Sequence, residues 1–365
     1  MDSGSVAGAW LALDDSLETC GTSNTTTPSP TQVDSKRIAA LHPSRRPTGK
    51  RSAGVLDWLV CNCRIGGQQQ QQAPTPARAK TVSLWDGSEL YWFDELPDEL
   101  RFNIDVRSGY RAGMTYWQCL KSIFQYHNET GNIWSHLLPI LAVVVSLCAG
   151  WLTPWPGAEW EFLQNILPIM LCFLGSVIYH TFMANHAHYK RWLFLDVCGV
   201  FILFLGGVNV VLWWGLYCYP RLRSVFLVSY YCTGAACVLA AVTAKTSLRR
   251  AAPMFMLLCI RLAAVAARLA LRSGSHAGSL HYLWMEALSI LGASINIARV
   301  PERWFAPAAK GKGESRIAGW FDYWFNSHQI MHILVAIAIG HLHWGASLDY
   351  RNHMMLDSCF TDAPI

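Results

Sequence analysis

The stretch SHQIMH at residues 327–332 opens the last long apolar run of the chain, ILVAIAIGHLHW. It sets two histidines four residues apart. On a helix, positions i and i+4 share a face, so His328 and His332 turn both imidazoles toward one point. This is the usual way for one helix to offer two ligands to a metal ion. An earlier apolar run ends in LGSVIYHTF (174–182), where Ser176 and His180 are also four apart, and the next begins RWLFLDVCGV (191–200), with Asp196. A third imidazole beside the pair makes a three-histidine site with its fourth position open, the arrangement of catalytic rather than closed structural zinc. Water in that position has a pKa of roughly 7. Asp196 would hydrogen-bond that water or complete the coordination, and Ser176 would orient the water or an oxyanion.

The competing reading is packing. A lone histidine in an apolar helix is most simply a hydrogen-bonded core residue. The HxxxH pair, joined by a separate histidine and an aspartate at matched depth, moves the reading to a metal, because ionisable groups at that depth are costly and usually functional. The remaining histidines fit less well. His341 lies nine residues past His332, on the opposite helix face, and both it and His343 lie toward the far end of the run. His186 and His188 sit in a loop as alternate ligands of lower merit.

Positioning these groups requires membrane helices. Of 365 residues, 52% are hydrophobic and only 15% charged, and the mean hydropathy is +0.22. A soluble chain carries roughly 25% charged residues. Seven apolar stretches, at about 135–154, 162–184, 192–217, 222–244, 253–271, 280–298 and 325–346, each reach the roughly 20 residues that cross a hydrocarbon core. In lipid the backbone must satisfy itself, so helices are expected. The fifth stretch is the weakest, since it contains Arg261 and Arg268. The expected fold class is an all-α polytopic membrane protein of seven transmembrane helices.

The apolar domain, 135–346, is preceded by two other regions and followed by a short tail, 347–365. Residues 1–90 are polar, and GGQQQQQAPTPARAK (66–80) is low in complexity and cannot bury a core. Residues 91–134 form a juxtamembrane segment, in which aromatics and acids around ELYWFDELPDELRFN suit an amphipathic, interfacial lead-in. No signal peptide is legible at the start, MDSGSVAGAW, so the first span would drive insertion. The 12 cysteines are scattered, many inside apolar runs, as small buried hydrophobes rather than a secreted disulfide framework. CNC at 61–63 is an acylation or metal candidate, or an inert pair. The net charge of +5 says little about nucleic acid in such a chain.

Basic residues set the orientation. With the N-terminus cytoplasmic, that side gathers Arg107, Arg111, Lys121, Lys190, Arg191, Lys245, Arg249, Arg250, Arg303, Lys310, Lys312 and Arg316, against Arg221, Arg223, Arg272 and Arg351 opposite. The positive-inside rule therefore places the N-terminus in the cytoplasm and the C-terminus outside or in a lumen. The second, third and seventh helices then bring Ser176, His180, Asp196, His328 and His332 near the cytoplasmic face.

Two further polar features need partners. FQYHNETGNIWSH (124–136) reads as a turn capping the first helix, with Asn128, Glu129, Asn132 and His136 locking the loop; a direct chemical role is the alternative. Glu286, inside the sixth stretch, would pair with Arg261 or Arg268, as a structural ion pair or as a contact for a substrate head group.

Three ordered motifs, FQYHNETGNIWSH, SVIYHTF with LFLDVCGV, and NSHQIMHILVAIAIGH, together resemble the progestin and adipoQ receptor family, also called haemolysin III-related, over roughly residues 100–350. The stretch ALSILGASINIARVPERWF is especially similar to its member-four branch. The resemblance implies seven helices with the N-terminus in and the C-terminus out. It implies a zinc ion held by His180, His328 and His332, with Asp196 reaching it through water and Ser176 nearby. The wider superfamily includes alkaline ceramidases, and ceramide amide hydrolysis is attributed to some members. The implied partners are membrane lipids such as ceramide or a fatty acid, with an extracellular or lumenal ligand left open. The member-four branch implies the Golgi membrane, with the plasma membrane as the alternative. The chain departs from the family pattern after His180, where MANHAH replaces the usual CHS, and at LDV in place of LDY, leaving all five site residues in place. Two functions follow: a zinc-dependent lipid amide hydrolase, or a receptor or scaffold in which zinc only clamps helices.

Overall fold

The computed structural model describes residues 89–97, 100–243, 247–305 and 319–355, and the side chains of all but 241–254 among them. The polar N-terminal region and CNC lie outside the described residues. Seven long helices organise the rest: α1 (Thr130–Cys148), α2 (Glu159–Phe182), α3 (Tyr189–Gly215), α4 (Pro220–Thr243), α5 (Ser247–Ala270), α6 (His276–Ala298) and α7 (Ser327–Met354). Short helical turns, Tyr116–Ser122, Glu302–Phe305 and Trp320–Tyr323, lie between or before them. All are helical, as lipid requires; the only strand-like feature among the described residues is an isolated bridge, Tyr91 to Tyr110.

Six of the seven are long and apolar enough to cross a membrane, and the chain is a multi-pass membrane protein. The seventh, α5, runs 24 residues, of which the side chains from Phe255 onward are described. Seven apolar spans are expected from the sequence, and six are matched among the described residues.

Several boundaries also differ from expectation. α1 starts at Thr130, five residues early, because the polar TGNIWSH segment is helix and not turn. Its buried face is Thr130, Asn132, Ile133 and His136, so its polar groups point into the bundle. The helix stops at Cys148 rather than 154, where Gly150 takes φ +70°, a left-handed conformation open to glycine at little cost. At the other end of the chain, α7 continues to Met354 rather than 346, because Asp349 and Tyr350 turn inward and are buried. Its start is capped by Asn326, whose side chain accepts from the Gln329 amide at 3.1 Å.

The most extensive helix contacts pair α6 with α7 and α2 with α3. The second pair depends on two glycines. A Cβ on Gly175 would meet the Leu195 carbonyl oxygen at 3.0 Å, and one on Gly199 would meet Cys172 Cα at 2.9 Å. The backbones touch there, which sets Asp196 beside the Ser176–His180 turn. Around this contact, Ile169, Phe173, Leu203, Tyr282, Ile339 and Leu342 form the central core.

Residues before α1 pack their apolar side chains into the domain. Leu90, Leu96, Leu100, Val106 and Tyr110 are buried against Tyr189. The segment is tied down by two buried carboxylates: Asp322 accepts from the Arg107 amide and the Ser108 hydroxyl, both at 2.7 Å. Glu302 accepts from Asn103 Nδ2 at 2.9 Å and from the Ser327 amide at 2.7 Å. Arg111, fully enclosed, donates to the His180 carbonyl at 2.6 Å and the Thr181 carbonyl at 3.3 Å. It thereby satisfies backbone acceptors orphaned where α2 ends.

Candidate metal centre

His180 near the end of α2 and His328 and His332 in the first turns of α7 converge. One ring nitrogen from each lies within 4.8 Å of the other two. No carboxylate among the described residues joins that group. His180 and His332 are buried and His328 is half-buried.

The second nitrogen of each ring is already engaged. His180 Nδ1 lies 2.8 Å from Glu129 Oε2. His332 Nδ1 lies 3.1 Å from Ser135 Oγ, whose own proton goes to the Asn132 carbonyl. His328 Nδ1 lies 3.4 Å from Asn296 Oδ1. A carboxylate, a hydroxyl that has already spent its proton and an amide oxygen all accept, so each Nδ1 carries the hydrogen. Each Nε2 then keeps its lone pair, the form in which histidine ligates a metal. Partners that accept from the far nitrogen are the usual orienting support of metal-bound histidines. His180 Nε2 is buried and has no hydrogen-bond partner. Buried polar atoms are seldom left so, and an ion on the ligand side resolves the orphan. The residues present fit a metal, and a set of neutral imidazoles suits zinc, copper, iron or nickel.

Glu129 is the surprise of the site. It was expected to lock a capping turn. It does sit at the N-cap position of α1, but its side chain makes no cap hydrogen bond. Instead its carboxylate receives His180, Asn132 Nδ2 at 2.6 Å and Asn128 Nδ2 at 2.9 Å. Burial alone would raise its pKa; the hydrogen bonds from His180 and Asn132 and the charge of nearby histidine outweigh burial and hold it down at about 2. The sequence signal was the density of hydrogen-bonding groups in HNETGN, but the partner lies 51 residues away and no local pattern names it. Ser135 and Asn296 were likewise not singled out.

Ser176 and Asp196 open onto the same place. Both line a cavity of about 450 Å³ that also takes in His180, His328 and His332 and extends between α3, α5, α6 and α7 past Leu203, Val208, Ala264 and Met285. Its wall is mostly apolar. Ser176 Oγ is buried and without a partner. Phe102, Val106 and Tyr110 of the segment before α1 also line it.

The other histidines lie elsewhere. His341 meets His281 at 2.8 Å, His343 meets Asn165 Oδ1 at 2.6 Å, and His188 meets the Tyr116 hydroxyl at 2.8 Å. Glu286 pairs with Arg261 through both carboxylate oxygens, and Arg261 also donates to Tyr230 at 3.2 Å. Arg268, the other offered partner, instead donates to Asp349 at 2.7 Å, both side chains being fully buried.

The description "Haemolysin-III related" matches residues 124–343, more than half of the chain. The chain belongs to this family. Among its relatives is human progestin and adipoQ receptor family member 4, 36% identical over 270 residues, covering 72% of this chain and 94% of that protein. The adiponectin receptor protein of Drosophila melanogaster is 30% identical over 328 residues, 84% of this chain and 69% of that protein. Heptahelical transmembrane protein 1 of Arabidopsis thaliana is 25% identical over 294 residues, 73% of this chain and 83% of that protein. Membership covers the polar motif before α1, the α2–α3 pair and the start of α7, the three segments that build the centre.

Proposed function

We propose that this protein is a zinc-dependent hydrolase of a lipid amide of the ceramide type, working from a seven-helix membrane domain. The observation that carries the reading is the donor set: three imidazoles whose Nδ1 atoms are held and which line an apolar cavity together with Asp196 and Ser176. His180, His328 and His332 would hold a zinc ion, which would supply water activation and polarisation of a carbonyl. Asp196 takes the proton from the attacking water as its oxygen bonds to the amide carbon, then passes it to the nitrogen as the C–N bond breaks. Ser176 donates its hydroxyl to the carbonyl oxygen. The acyl chain lies along the apolar wall between α3, α5, α6 and α7.

The seventh span is α5, whose Arg261 and Arg268 are each paired inside the bundle and so cost less at depth. The name of the Arabidopsis relative supports the same count. The basic excess of the loops supports a cytoplasmic N-terminus. Cys218, in the turn after α3, is disulfide-bonded, which supports an oxidising compartment on the opposite side. The Golgi membrane is the compartment proposed, as the resemblance to the member-four branch implies.

A second reading has support in two relatives' names, each of which contains the word receptor. In it the ion only clamps α2 to α7. The test is ceramide turnover by purified wild type, with metal content recorded, beside Asp196→Ala. The hydrolase reading expects fatty acid and sphingosine from wild type, and a loss of at least about a hundredfold in the variant with zinc retained. Stoichiometric zinc with no release above the variant's background would favour the clamp.

A further inference from the structure

His136 is the one histidine facing the centre that the reading so far leaves without work. It projects from α1, four residues past Asn132, and it is 5% exposed. Its ring lies flat on that of His332, centroids 4.0 Å apart and planes 2° apart, with Phe173 at 4.7 Å. It lines the cavity together with Ser176 and His180. Neither of its nitrogens has a hydrogen-bond partner. That sets it apart from the three candidate ligands, each of which has its Nδ1 engaged. It also lies outside the group whose nitrogens can meet at one ion.

A purely structural ring in this place would be served better by phenylalanine or leucine, since burying unpaired polar atoms is costly. A neutral imidazole offers one donor and one acceptor. A lipid whose head carries a hydroxyl or a secondary amide presents both complements, while a carboxylate can only accept. We infer that His136 is a binding residue for the polar head of the lipid amide, pairing with its hydroxyl or N–H beside the metal centre. This rests on the hydrolase reading for the identity of the lipid, and names the residue that would recognise the head rather than the chain.

The test is equilibrium binding of a fluorescent short-chain ceramide to the full chain in nanodiscs. It uses the Asp196→Ala background so that ligand is not consumed. His136→Phe keeps a flat ring for the stack but removes both nitrogens; His136→Leu serves if the phenyl ring does not fit. Either should weaken ceramide binding roughly tenfold, the scale of one buried hydrogen bond. Zinc content and thermal midpoint should stay unchanged. His136→Gln, which retains a donor and an acceptor, should recover most of the affinity. Equal ceramide affinity in the Phe or Leu variant and its parent would overturn the role of His136 alone. Loss of zinc along with affinity would assign His136 to the metal centre and overturn its role in binding. Absence of ceramide binding in the parent would overturn the hydrolase reading and this inference with it.

Discussion

Two of the polar clusters that the bundle buries are finished differently. Toward the ends of α5 and α7, Asp349 receives Arg268 at 2.7 Å, the Ser275 amide at 2.8 Å and the Tyr282 hydroxyl at 2.9 Å. Its charge is paired and both oxygens are used. At the histidine cluster, by contrast, His180 Nε2, Ser176 Oγ and both nitrogens of His136 are enclosed without partners. At Asp349 the enclosed orphan, Arg268 Nε, lies off the cavity, whereas at the histidines several orphans line it, as suits an occupant. The difference separates a clamp from a site, although both rest on ionisable groups inside a membrane domain.

The contrast is easiest to break by truncating each cluster in turn. Asp349→Ala leaves Arg268 buried and unpaired, and should cost about 3–5 kcal/mol of stability, read as a large drop in thermal midpoint in detergent. The zinc content of the molecules that remain folded should not change. Metal loss in that variant would mean that the two clusters are one cooperative unit.

Glu129→Gln comes next. It replaces the carboxylate that orients His180 by an amide, and should weaken zinc binding roughly 10- to 100-fold, measured by competition with a chromophoric chelator. Unaltered affinity would return Glu129 to a loop-locking role.

The smallest effects make the sharpest pair. Tyr282→Phe removes a donor to Asp349 and should cost about 1 kcal/mol. Ser176→Ala removes a hydroxyl that has no partner, so stability should hold or rise by up to about 1 kcal/mol, while turnover falls. A stability loss in Ser176→Ala matching that in Tyr282→Phe would erase the distinction between the clusters.

The sequence shows the parts of this design that obey local rules. The i, i+4 spacing of His328 and His332 needs only a helix, and hydropathy supplies the helix. Six of the expected spans follow from apolar length alone, with ends misjudged where polar residues turn inward. TGNIWSH resembled a loop because its polar side faces the bundle instead of water. Asp349 fell outside the expected seventh span for the same reason, and so Arg268 was offered to Glu286, whereas Arg261 alone fills that place. Tertiary partners such as Glu129 with His180, Asn296 with His328 and Ser135 with His332 join residues 32 to 197 positions apart. No periodicity reaches that far. In α5, the stretch that reads weakest in the sequence, Arg261 and Arg268 find their partners only in three dimensions.

His180, His328 and His332 are placed to hold a metal ion. Metal content of the full chain, purified without chelator and measured by inductively coupled plasma mass spectrometry beside His328→Ala, tests it most directly. The account predicts about one zinc per chain in the wild type, given the tetrahedral histidine site, and background in the variant. Background zinc in folded wild type, or undiminished zinc in folded His328→Ala, would contradict it.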